Sequence, residues 1–313
     1  MYRGTAEIVR PLERPVLTIG NFDGLHLGHR TMLKTVIERA RALSGRSVVY
    51  TFEPHPRKVL YPEKAPRLLT TFDQKQELLE EIGVDVLVAE PFDRDFAQVT
   101  PDRFVREYIH QGIRPLEVYV GYDFHYGRDR EGSMRLLTET GPRLGFAVTI
   151  IPEVTVGGSD VSSTGIRDLL ADGRVEDAAR LLARPFAVRG TVVPGDRRGR
   201  TIGFPTANLE TENEVLPAAG VYAGELQILD EGERAARVRR AAVLNVGVRP
   251  TFEDGQGFLT EAHLLDWDGD LYGRRVEVDF RHRLRGEQRF DGVEALRAQI
   301  ARDVEEARQR LGA

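Results

Sequence analysis

Cysteine is absent from this 313-residue chain. Disulfides, thiolate metal sites and a cysteine nucleophile are therefore excluded. Lysine is nearly absent too: Lys34, Lys58, Lys64 and Lys75 all fall in the first quarter, and every other basic residue is arginine. No G-x-x-x-x-G-K-[ST] occurs, so phosphate chemistry cannot rest on a P-loop lysine. It must use backbone amides, arginine, histidine or a metal ion. No apolar run reaches about 18 residues, and the opening MYRGTAEIVRPLERP lacks an apolar core of signal-peptide length. A membrane span is not expected, and a cytoplasmic location is. The 44 basic residues against 49 acidic give a net charge of −5. Such a chain has no general basic field for nucleic acid, which is not expected as a partner.

What is present fits an ordinary globular protein, with 41% hydrophobic and 30% charged residues. The length predicts two domains. In the first half, short apolar runs alternate with helical patterns: strands at Val16–Gly20, Ser47–Phe52, Val84–Ala89, Leu116–Gly121 and Ala147–Ile151, and helices at Arg30–Leu43, Asp73–Ile82, Pro101–Ile109 and Arg135–Thr140. That alternation predicts an α/β domain with a parallel sheet, binding ligands at the carboxyl ends of its strands. Two helices, Thr164–Leu170 and Val175–Leu182, precede a change of pattern near Arg184. Beyond it, strands at Phe186–Val193, Val221–Leu229, Val238–Val246, Thr260–Leu265 and Arg275–Phe280 have no helices between them, predicting an antiparallel barrel or sandwich. A last amphipathic helix carries Val293, Leu296, Ile300 and Val304. The expected domains are 1–183 and 184–313.

Gly20-Asn21-Phe22-Asp23-Gly24-Leu25-His26-Leu27-Gly28-His29 follows the first strand and opens the first helix. Glycines allow a tight turn and close approach of backbone to ligand. The helix start offers free amides and partial positive charge, an anion site by geometry. His26 and His29, three apart, can share one space and donate to phosphate oxygens as charge builds in a transition state. Two histidines could also hold zinc, but an open catalytic zinc normally takes three protein ligands and neither half supplies an obvious third. Farther on, Ser162-Ser163-Thr164-Gly165-Ile166-Arg167 places hydroxyls at a helix start, where they can cap it or donate to phosphate. Arg167, one turn in, can fork two bonds to phosphate oxygens.

G-x-F-D-G-x-H-x-G-H resembles the signature of the HxGH nucleotidyltransferase superfamily, in the form carried by bacterial bifunctional riboflavin kinase/FMN adenylyltransferases. Thr51-Phe52-Glu53-Pro54-His55-Pro56, Gly121-Tyr122-Asp123-Phe124-His125-Tyr126-Gly127 and the Ser162–Arg167 segment resemble further segments of that family. The resemblance implies that an FMN phosphate oxygen attacks the α-phosphorus of ATP and releases pyrophosphate. His26 and His29 would be catalytic, with Gly20, Phe22, Asp23, Gly24, Ser162, Ser163, Thr164 and Arg167 around the ATP phosphates. Asp123 would position nucleotide, flavin or metal, although a carboxylate at a loop start can equally form an Asx-turn. His125 and Tyr126 stand where the family more often has Arg and Phe, so a positive charge is missing there.

In the second half, Gly199-Arg200-Thr201-Ile202-Gly203 joins a basic, glycine-flanked loop to Phe204-Pro205-Thr206-Ala207-Asn208. Arg197, Arg198 and Arg200 could fold over phosphates or form a solvated turn. Thr206 and Asn208 alternate along an extended segment and point the same way, two hard oxygen ligands suited to Mg2+. Glu261 lies in an otherwise apolar strand, where a carboxylate is paired, edge-exposed or functional. F-P-T-A-N, Gly220-Val221-Tyr222-Ala223, Asn245-Val246-Gly247-Val248-Arg249-Pro250-Thr251-Phe252, Glu261-Ala262-His263 and Leu271-Tyr272-Gly273 resemble, in order, the flavokinase domain of the same family. The resemblance implies Mg·ATP held at Thr206 and Asn208, with Gly199 and Arg200 at its phosphates. Glu261 would be the base for the riboflavin 5′-hydroxyl. It further implies a Rossmann-like nucleotidyltransferase domain followed by a six-stranded Greek-key barrel. Riboflavin, FMN and ATP would be substrates and FAD the product. Mg2+ or another divalent cation would assist, and no tightly bound prosthetic group is expected; the oligomeric state is left open.

Overall fold

In the N-terminal half the uninterrupted apolar run Val16–Ile19 forms β1, all four residues buried, as expected of a strand covered on both faces. The computed structural model describes residues 1–195, 202–229, 238–248 and 258–313. It divides into two compact units, Met1–Ser163 and Thr164–Ala313. The first is built from β1, α1 (Leu27–Ala42), β2 (Ser47–Glu53), α2 (Pro56–Leu60), α3 (Phe72–Ile82), β3 (Val86–Pro91), α4 (Pro101–Arg103), β4 (Glu117–Gly121), the short β5 (His125–Tyr126) and β6 (Gly132–Ser133), α5 (Met134–Thr140), β7 (Ala147–Ile151), and the short β8 (Thr155–Val156) and β9 (Ser159–Asp160).

Five strands form one parallel sheet in the order β3-β2-β1-β4-β7. The chain winds outward from β1 to β3, then returns to place β4 on the other side of β1. The crevice at the carboxyl ends of β1 and β4 is therefore the switch point where such sheets bind ligands. α1 buries Met32, Leu33, Val36, Ile37 and Ala40, one apolar stripe. Thr71 caps α3 reciprocally: its hydroxyl accepts the Gln74 N–H at 3.2 Å, and Gln74 Oε1 accepts the Thr71 N–H at 3.0 Å. The helix expected over Pro101–Ile109 runs to Ile113 and is a π-helix from Phe104. Its buried Phe104, Val105, Ile109 and Ile113 pack into the core of the sheet domain.

The second unit holds most of α6 (Ser163–Ala171), then α7 (Val175–Leu182), β10 (Phe186–Val193), β11 (Ala207–Thr211), β12 (Gly220–Ile228), β13 (Arg239–Val248), β14 (Phe258–Leu264), β15 (Arg275–Arg285) and α8 (Val293–Leu311). Its six strands close a barrel in the order β10-β11-β14-β13-β12-β15, every pairing antiparallel. This is a Greek-key order. Tyr222, Phe186 and Phe280 fill the interior, with the Tyr222 hydroxyl donating to Ala218 O at 2.5 Å. Arg283 ties α6 and α7 to the barrel through Asp172 O at 2.8 Å and its own N–H to Glu176 at 3.2 Å.

Helix α8 covers part of the outer face, packing Val304, Ala307 and Leu311 on Val221, Ala223, Val243 and Leu265. Val293, expected on the same stripe, is instead exposed. Asp303, 3% exposed, anchors α8 by accepting from the Arg285 guanidinium at 2.8–3.1 Å and from Gln299 Nε2 at 2.8 Å. Among the described residues no helix is long and apolar enough to cross a membrane.

Candidate active sites

The glycine-rich loop leaves β1 at the switch point with three residues in the left-handed region: Phe22 (φ 51°), Gly24 (φ 78°) and Leu25 (φ 42°). Only glycine adopts this region without cost, so the two other residues hold a strained turn in place. The Phe22 and Leu25 side chains are buried, and their packing compensates. Asp23 is 5% exposed, and its Oδ1 accepts the N–H groups of Leu69 at 2.9 Å and Thr70 at 3.3 Å. Gly24 N–H donates to the Thr70 hydroxyl at 3.3 Å, and the Ser163 hydroxyl donates to Asp23 O at 3.0 Å. Asp23 and Ser163 thus fix the loop, while Ser162 and Thr164 beside it are exposed. Arg167 stands half-buried one turn into α6.

His26 occupies the cap position of α1 and His29 lies in its first turn. Their rings stack at 3.7 Å between centroids and 19° between planes, and Phe22 meets His29 edge-on at 5.2 Å. A side-chain carbon at Gly28 would press on the His26 ring at 3.2 Å, so glycine leaves room for the stack. Burial, then the neighbouring His26 and Lys75, push the His29 pKa well below its ordinary value. Neutral His29 presents one N–H and one lone pair, and its Nδ1 meets no hydrogen-bond partner among the described residues. On the other side of the crevice, exposed Asp123 folds back over Gly121 near Met32 of α1. His125 Nδ1 lies 2.8 Å from Asp123 O, and Arg130 approaches the same ring at 3.3 Å. Arg130 returns to this hairpin a positive charge absent from position 125. Tyr126 is buried and stacks on Phe124 at 5.5 Å, an aromatic core role.

Sequence reasoning passed over Lys75. It is 4% exposed in the first turn of α3, on the stripe formed with Phe72, Leu79 and Ile82. The signal was legible: a lysine at core spacing in a helix whose stripe is otherwise apolar.

In the barrel, directly opposed residues share a face. Asn208 of β11 pairs with Glu261 of β14, which pairs with Asn245 of β13. One step along, Ala207, Ala262 and Leu244 point inward with Tyr222, so the polar row faces outward. Glu261 is half-buried, and Asn245 Nδ2 donates to its Oε2 at 3.3 Å. Asn208 is 7% exposed, and a Cβ at Gly195 would overlap its amide, so backbone cradles this side chain closely. His263 braces the preceding segment, its Nδ1 2.8 Å from Pro205 O and its ring edge-on to Phe204. Thr206 lines a cavity of about 540 Å³ together with Trp267 and Asp268 to Tyr272. Asn208 offers a neutral oxygen opposite the Glu261 carboxylate, oxygen donors of the kind a divalent cation takes. Thr206 instead lies among Val192, Ala207, Ala262 and Leu264 in the cavity lining, which includes neither Asn208 nor Glu261. Gly199 and Arg200 lie outside the described residues, as do Arg197, Arg198, Thr201 and the Arg249–Phe252 part of the Asn245 motif.

A parallel-sheet domain with an HxGH helix start, followed by a closed six-stranded barrel bearing P-T-A-N opposite a glutamate, defines a two-domain nucleotidyltransferase–flavokinase. The family model described as FAD synthetase matches residues 9–165, and that described as riboflavin kinase matches residues 182–311. The bifunctional riboflavin kinase/FMN adenylyltransferase of Escherichia coli (strain K12) is 43% identical over 302 residues, covering 96% of this chain and 94% of that protein. The enzyme of the same description from Bacillus subtilis (strain 168) is 34% identical, covering 94% and 92%. A crystal structure described as a macrolide-efflux protein from Streptococcus pneumoniae shares the fold with a TM-score of 0.86 and 30% identity, covering 98% of this chain and 97% of its own. The chain belongs to the bifunctional riboflavin kinase/FMN adenylyltransferase family.

Proposed function

We propose that this chain makes FAD from riboflavin in two ATP-dependent steps, the kinase step in residues 184–313 and adenylyl transfer in residues 1–183. In the first step the riboflavin 5′-hydroxyl oxygen attacks the γ-phosphorus of ATP, ADP leaves, and Glu261 takes the hydroxyl proton. Asn245 holds the Glu261 carboxylate by its 3.3 Å hydrogen bond. Thr206 and Asn208 would hold Mg2+ or another divalent cation, which, once bound, offsets charge on the ATP phosphates. Gly199 and Arg200 complete the phosphate site. In the second step an FMN phosphate oxygen attacks the α-phosphorus of ATP and the bond to pyrophosphate breaks. The amides at the start of α1, His26, His29, Ser162, Ser163, Thr164 and Arg167 stabilise the developing charge, with Asp123 positioning the nucleotide or flavin. Gly20, Phe22, Asp23 and Gly24 shape the loop that does this. The enzyme works in the cytoplasm.

The observation that carries this reading is the stacked His26–His29 pair at a helix start on the switch point of a parallel sheet. We expect His29→Ala to lower FAD formation roughly 100-fold or more while FMN still accumulates. Glu261→Ala should lower FMN formation roughly 100-fold or more yet leave adenylylation of supplied FMN intact. Separating the flavin products by chromatography distinguishes these outcomes. Loss of both steps in either folded variant would refute the two-site assignment.

A further inference from the structure

Lys75 is an anomaly on energetic grounds. Its side chain is 96% removed from solvent, since only 4% remains exposed, and burial disfavours the charged form of a lysine. It lies in the first turn of α3, where the helix presents its positive end and a cation is least welcome. Lys58 opposes it as a like charge, and Lys75 in turn opposes protonation of His29. Asp23 and Glu53 attract it, but only at longer range: among the described residues the Lys75 ammonium has no hydrogen bond and no ion pair, and the Phe72 ring centroid is 6.0 Å away. The Oδ1 of Asp23 is engaged by the amides of Leu69 and Thr70. Methionine or leucine would suit the stripe of Phe72, Leu79 and Ile82 better than lysine does.

The same segment is bolted to the catalytic loop. Leu69 and Thr70, immediately before the Thr71 cap of α3, bind Asp23 and Gly24 of the Gly20–His29 loop. Lys75 therefore stands in the wall behind that loop, a buried cation whose missing partner is an anion. We propose that Lys75 is a phosphate ligand of the adenylyl-transfer site, its ammonium meeting a phosphate group held at the Gly20–His29 loop. This rests on reading the loop as the adenylyl-transfer site. Both co-substrates carry the required chemistry, as the phosphate monoester of FMN and the polyphosphate of ATP. The bound phosphate compensates the burial that the free protein endures, so Lys75 lowers the stability of the empty site to strengthen the filled one.

The test compares the full-length wild type with Lys75→Met and Lys75→Arg. FAD formation from supplied FMN and ATP is measured with both KM values, alongside melting temperatures without ligand and with FMN, a non-hydrolysable ATP analogue or inorganic pyrophosphate. Lys75→Met should melt at or above the wild-type temperature when ligand-free. It should make FAD roughly 10- to 100-fold more slowly, the loss of one charge-assisted hydrogen bond. Its kinase activity should be unchanged, and Lys75→Arg should recover part of the lost rate. The substrate whose KM and thermal shift suffer most identifies the phosphate. Lys75→Met with FAD formation within about twofold of wild type overturns the proposal. So does a Lys75→Met protein that melts lower when ligand-free and is not improved by arginine, because the lysine would then be structural. A wild type that makes no FAD from FMN and ATP overturns the reading of the loop instead.

Discussion

Stacked 3.7 Å apart, the rings of His26 and His29 resist simultaneous protonation, and burial already holds His29 neutral. The arrangement keeps a hydrogen-bonding imidazole at the helix start, and an arriving phosphate would raise its proton affinity as charge accumulates. Stability should register the same shift. A histidine whose folded pKa lies below its unfolded value of about 6.5 binds fewer protons folded than unfolded in the window between the two. Its contribution is therefore intact above about pH 6.5 and declines as pH falls toward the folded pKa. Melting curves between neutral and mildly acid pH should show wild type losing stability that His29→Asn retains; parallel curves would contradict the assignment of that loss to His29. His26, His29 and Glu261 were legible in the sequence because their motifs are contiguous. Asn245 as the hydrogen-bond partner of Glu261 and Arg130 beside His125 were not, since strand pairing and a hairpin bring them to their sites, while the core spacing of Lys75 was legible but passed over.

Two helices each carry a charge on the buried face, and they resolve it differently. In α8 the carboxylate of Asp303 is paired with Arg285 and bonded by Gln299, whereas Lys75 in α3 has no such partner among the described residues. Breaking a buried pair leaves one charge uncompensated, which typically costs about 3–5 kcal/mol. Asp303→Ala should therefore destabilise the barrel unit by roughly 3 kcal/mol. Trp267, the chain's only tryptophan, lies in that unit beside the Asp266–Arg308 pair that holds the far end of α8, so its fluorescence during urea unfolding is the readout. An unchanged midpoint would show that α8 docks by its apolar contacts alone. Most elements were legible at this scale because buried parallel strands read as apolar runs and helices as stripes. Ala207–Thr211 was read only as an extended segment; its identity as the strand closing the barrel depends on partners distant in sequence, β10 and β14. The π-helix after Phe104 reads as an α-helix in the sequence because Val105, Ile109 and Ile113 recur at four residues, as an α-helical stripe does.

Across the whole molecule, two folds with unrelated topologies carry two separate polar constellations. The parallel sheet places its histidine loop at a switch point, and the antiparallel barrel places Asn208, Glu261 and Asn245 in one row across three strands. The compact units meet at residues 163 and 164, while the family models end at 165 and begin at 182. Helices α6 and α7 fill that interval and lie, apart from Ser163, within the barrel unit. The change of periodicity at Arg184 is legible in the sequence because it marks the first barrel strand; a helix pair that packs forward along the chain leaves no such mark. The most direct test of the account is to incubate the purified protein with riboflavin, ATP and Mg2+ and follow the flavins over time by chromatography. FMN should appear first and FAD should follow with pyrophosphate. A folded protein that yields neither FMN nor FAD would contradict it.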